Sequence, residues 1–90
     1  MSRTIVTLVG KDHVGIIAAV CNFFAENGIN ILDIKQTTVQ DYINMILIVD
    51  TSGYGGGFDT LNQGLDEVGK RVGCIIKATH EDIFEMMHRI

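Results

Sequence analysis

Met45-Ile46-Leu47-Ile48-Val49 is an unbroken apolar run in a stretch that reads as β-strand. Neighbouring side chains of a strand point to opposite faces of the sheet. Ile5, Val6, Leu8 and Val9 repeat the pattern near the amino terminus. A sheet of such strands needs cover on both faces, because burying one Leu- or Ile-sized side chain is worth roughly 1.5–3 kcal/mol. Ninety residues that are 47% hydrophobic suit one compact domain over residues 1–90, with a large surface for its core.

The remaining punctuation follows from period and turn chemistry. Arg3 to Val9 reads as a first strand, and Val14 to Asn27 as a helix whose stripe is Ile17, Val20, Cys21 and Phe24, widened by Ile16 and Phe23. Gly28 stops that helix in a left-handed conformation. Ile29 to Val39 and Tyr42 to Asp50 are two further strands joined at Gln40-Asp41 as a hairpin. Thr51 to Gly57 is a glycine-rich connection into a second amphipathic helix carrying Phe58, Leu61, Leu65, Val68 and Val72, ended by Gly73. Cys74 to Thr79 makes a fourth strand, and Thr79 with Asp82 offers a capping pair for a closing helix bearing Ile83, Met86, Met87 and Ile90.

This βαββαβ order defines an α+β chain of the ferredoxin-like kind, a four-stranded antiparallel sheet with two helices on one face plus a short carboxy-terminal helix. Two helices cover only one face. The other must be sheltered by the closing helix or by a second chain, and a homodimer is expected.

The turn Val9-Gly10-Lys11-Asp12-His13-Val14-Gly15-Ile16-Ile17 leads from the first strand into the first helix. Gly10 would permit sharp turning, Asp12 would cap the first helical amides, and Gly15 would leave room beside them. A helix start of this kind attracts carboxylates and phosphates. His13 offers a ring donor or a pH-dependent charge, although a histidine in a polar turn is commonly a solvated surface residue. Asn30 both donates and accepts, and so suits the ammonium or side chain of an amino acid, or simply the turn after Gly28.

Val9-Gly10-Lys11-Asp12 followed by Val14-Gly15-Ile16-Ile17, Gly28-Ile29-Asn30-Ile31 with Asp33-Ile34, and Gln36-Thr37 leading to Tyr42 and Met45 together resemble the ACT domain over essentially the whole chain. The closing Ile83-Phe84-Glu85-Met86-Met87-His88 is similar to free-standing bacterial ACT proteins, and the front half to regulatory domains of the glycine cleavage system repressor. The resemblance implies a non-catalytic, allosteric module that binds an amino acid or related metabolite between paired domains and modulates a partner protein. The binding positions it implies are Gly10, Lys11, Asp12, His13, Val14, Gly15, Ile16, Asn30 and Ile31. An alternative is an assembly module with no small-molecule ligand.

Other classes find less support. A net charge of −4 with seven scattered Lys and Arg disfavours nucleic acid as a partner. The apolar run after Arg3 is too brief for a signal sequence or a membrane span of roughly 20 residues, which points to the cytoplasm. Cys21 and Cys74 form no short-spaced metal or redox pair, and no Ser, Cys or His motif supports an enzyme. His80 and His88 stand about two helical turns apart, too far to chelate one ion, so neither a metal nor a cofactor is expected. The loop at 53–57 lacks the Lys-Ser or Lys-Thr ending of a nucleotide-binding loop.

Overall fold

The computed structural model describes residues 3–82. Its elements are β1 (Arg3–Lys11), α1 (Ile16–Glu26), β2 (Asn30–Val39), β3 (Tyr42–Asp50), α2 (Phe58–Val72) and β4 (Cys74–His80). The strands form one antiparallel sheet in the order β2-β3-β1-β4, the arrangement expected for a ferredoxin-like chain. The residues Ile83, Met86, Met87 and Ile90, from which a closing helix is inferred, lie outside the described residues.

One face of the sheet and the two helices enclose the core. Val6 and Leu8 of β1, Ile43, Met45, Leu47 and Val49 of β3, and Ile76 and Ala78 of β4 meet Ile16, Val20 and Phe24 of α1 and Leu61, Leu65 and Val68 of α2. Gly28 (φ 68°) and Gly73 (φ 72°) end the helices in the left-handed region, as read from the sequence.

The stripe on α1 is rotated from the one expected. The helix begins at Ile16, and its inward residues are Ile16, Val20 and Phe24, with Ala19 and Phe23 packed beside them. Ile17 is 44% exposed and Cys21 half-buried, because the stripe turns toward α2.

The second face of the sheet is mixed rather than uniformly covered. Register places Ile5, Thr7 and Val9 beside Ile48, Ile46 and Asn44 on one flank and Thr79, Lys77 and Ile75 on the other. Ile5 is buried and Ile46 and Ile48 are half-buried, whereas Val9 and Ile75, paired with each other, are exposed.

The two edges of the sheet differ. On β4, the Asn62 side chain of α2 lies against the outward backbone of Ala78: its Oδ1 accepts from the Ala78 amide at 2.8 Å and its Nδ2 donates to the Ala78 carbonyl at 3.2 Å. A side-chain amide thus stands in for a neighbouring strand. On β2, Leu32 to Val39 are all exposed, with the ladder to β3 shifted by one residue between Ile31 and Asp33. Asn62→Ala is expected to lower stability by about 1–2 kcal/mol for its two lost hydrogen bonds, measured by urea unfolding.

Candidate functional site

The turn between β1 and α1 is exposed from Lys11 through Gly15, with Gly10 half-buried behind it and Ile16 buried below. Its anchor comes from the hairpin beneath. The Asp12 amide donates to the Asp41 carbonyl at 2.7 Å, which ties the turn to the β2–β3 connection.

Two roles expected in this turn are corrected. Asp12 does not cap α1: the residue at the cap is Gly15, with φ 101° and no side-chain hydrogen bond. The chain reaches the helix through a left-handed residue, a conformation costing a non-glycine residue about 1–2 kcal/mol, and Asp12 sits too far back to reach the first helical turn. Gly10 is not a turning residue either. It lies within β1 opposite Cys74, and a Cβ placed there would stand 2.5 Å from the Cys74 Sγ and 2.9 Å from its Cα. Its small size lets β1 and β4 approach.

At Gly15 an added Cβ would meet nothing within 4 Å, so open space lies beside the amino end of α1. Amides in the first turn of a helix have no intrahelical acceptors. No side-chain cap is supplied to them, and the turn that precedes them is exposed. Val14, 98% exposed, and Ile17 flank them with apolar surface.

His13 is exposed yet engaged through both ring nitrogens. Nε2 lies 2.5 Å from the Val72 carbonyl, at the last residue of α2, and Nδ1 lies 3.0 Å from the Val14 carbonyl. These two acceptors raise the His13 pKa above 6.5, the Val72 carbonyl most; desolvation opposes them, and the Asp12 charge adds the least. The sequence offered no sign of the Val72 partner, 59 residues away.

Asn30 and Ile31 lie elsewhere. Asn30 pairs with Asp50, which pairs with Arg3, whereas the turn follows Lys11 at the opposite end of β1. Eight residue steps of strand separate those ends, roughly 26 Å. Asn30 is exposed and Ile31 packs partly against the core. Within one chain, therefore, the residues from Gly10 to Ile16 cluster, and Asn30 and Ile31 do not join them.

The surroundings of Cys74 do not set it up as a nucleophile. Both cysteines are free and half-buried, and burial first, then the Asp12 charge, pushes the Cys74 thiol up, away from the thiolate form. Among the described residues no group of three His, Cys, Asp or Glu is placed to hold a metal ion, and no helix is long and apolar enough to cross a membrane.

The sequence pattern of the ACT domain matches residues 4–63, which span β1 through the first turn of α2 and include the whole turn described above. The chain belongs to the ACT domain family, a class of regulatory ligand-binding modules. Among proteins of that kind, it is 48% identical over 88 residues to a UPF0237 protein of Clostridium acetobutylicum, covering 98% of this chain and 99% of the relative. An ACT domain protein from Streptococcus pneumoniae superposes with a TM-score of 0.81 at 34% identity, over 93% of this chain and 94% of that one. A structure described as a glycine cleavage system transcriptional repressor shares the fold, with a TM-score of 0.72 at 19% identity over 87% of this chain and 44% of that one.

Proposed function

We propose that the protein is a non-catalytic regulatory module that binds an amino acid or a related small carboxylate between two copies of itself and thereby biases its association with a partner protein. The observation that carries this reading is the uncapped amino end of α1, opening beside Gly15 on an exposed turn. Backbone amides in that position suit a carboxylate.

An amino acid also needs acceptors for its ammonium, and the isolated turn holds only part of such a set. A second copy supplies the rest. Asn62 occupies the β4 edge at Ala78, whereas the β2 edge is exposed from Leu32 to Val39. Two β2 strands paired antiparallel about a two-fold axis would set Asn30 of one protomer against Val39–Asp41 of the other. The Asp12 amide of that other protomer is bonded to its Asp41 carbonyl. The positions that stand at opposite ends of one sheet thus meet across the pair, Gly10 to Ile16 from one copy and Asn30 and Ile31 from its mate.

Calorimetric titration with single amino acids, together with sedimentation, tests the reading. The expected result is a two-chain particle that takes up at least one amino acid with measurable heat. Asn30→Ala should weaken that uptake about 10- to 100-fold, the worth of a hydrogen bond to a charged group. No heat with any amino acid, or full affinity in Asn30→Ala, would refute it.

A further inference from the structure

Among the described residues, His13 is the one turn residue that reaches another element through its side chain, and both its ring nitrogens are aimed at acceptors. A backbone carbonyl can only accept. A neutral imidazole carries one N–H and can satisfy one of the two carbonyls, leaving its bare nitrogen facing the other oxygen lone pair to lone pair. The doubly protonated ring satisfies both. Its positive charge then sits at the carboxy-terminal end of α2, where the helix dipole is negative.

We propose that His13 is a proton-controlled latch: as imidazolium it fastens the β1–α1 turn to the last residue of α2, and on losing its proton it releases one of the two carbonyls and loosens the turn. As a control on a binding site, the latch rests on the functional reading given above; as a conformational device, it does not.

Lys11 and Asp12 lie on the turn's own side, Lys70 and Arg71 in the last turn of α2, and Cys74 at the start of β4. Lys70 is paired with Asp66 at 3.1 Å, and Asp12 favours the charged ring. None of these groups accepts a hydrogen bond from His13 in place of the two carbonyls.

The sign of the pH effect follows from the direction of the shift. Because the folded protein holds the His13 proton more firmly than the unfolded chain, the contribution to stability is full below pH 6.5 and is lost as pH rises through the elevated folded value. Acidic conditions close the latch and mildly alkaline conditions open it.

Nitrogen-15 NMR of the ligand-free protein tests the inference. Both His13 ring nitrogens are expected to be protonated at pH 6.5, with a titration midpoint above that value. Amide protection factors, corrected for intrinsic exchange, should fall together at residues 12–16 and 70–74 across the same midpoint. In His13→Gln, which keeps a donor but cannot titrate, that pH dependence should vanish while the spectrum elsewhere is retained. Titration of His13 at or below 6.5, protection that is flat with pH, or the same fall in His13→Gln would overturn the latch. Calorimetry at pH 6 and pH 8 separates the two ideas. A working latch with no amino-acid heat sinks the functional reading alone, and heat with flat protection sinks the latch alone.

Discussion

Phe24→Ala is expected to lower the unfolding free energy by about 3–5 kcal/mol, read as a fall in the urea midpoint at unchanged slope. Phe24 is 1% exposed and makes an edge-to-face contact with Phe23 at 5.8 Å between ring centres. Its ring belongs to the core shared by both helices and the sheet. Its carbonyl also accepts from the Ile29 amide at 2.9 Å, so the residue marks where the chain leaves α1 for β2. Truncation would leave a cavity that a fixed sheet cannot readily fill, in a domain whose whole stability is of order 5–15 kcal/mol. A loss below 1 kcal/mol would mean that the region is far less tightly packed than described.

The second large effect is expected at Gly10. Gly10→Val should cost about 3 kcal/mol or more, at the upper end of overpacking, because the new side chain would be driven into Cys74. Moving the Cys74 sulfur aside relieves only the 2.5 Å contact. The Cys74 Cα, 2.9 Å from the added Cβ, belongs to the paired strand and can move only if β1 and β4 separate. Cys74→Gly on the Gly10→Val background removes the Sγ and Cβ contacts but keeps the Cα, so it should restore only part of the loss, a coupling measurable by a double-mutant cycle. Simple additivity of the two substitutions would exclude the Cys74 side chain as a cause of the loss. The strand end that spreads is the one that presents the turn, so the amino-acid binding proposed above should weaken with stability.

Much of the scaffold was legible because each element carries its own period. Tyr42–Asp50 and Phe58–Val72 have the bounds read from the sequence, the first from its apolar run after Gln40-Asp41 and the second from Leu61, Leu65, Val68 and Val72 ahead of Gly73. Local chemistry was a poorer guide in the turn. An Asp shortly before a helix reads as a cap, yet the helix starts at Ile16 and Gly15 takes the cap position in a left-handed conformation. A glycine after a strand reads as a turn, yet Gly10 answers to a residue on another strand. The buried stripe of α1 lies about one residue from the one its spacing predicts, because its direction depends on α2. His13 and Asn62 were the least readable: their partners, Val72 and Ala78, are backbone carbonyls or amides whose positions depend on the finished topology. The separation of Asn30 from the turn is also a property of strand direction, which a resemblance by residue cannot display.

Asn62 has a consequence for how large an assembly this chain can build. A sheet with two free margins can extend without limit, and natural proteins avoid such fibres by blunting at least one side. Here the β4 margin is occupied at Ala78 from within the same molecule, so a strand added along it would have to displace the Asn62 amide there. Deleting the Asn62 amide should be felt as precipitation at high concentration as well as in the unfolding curve.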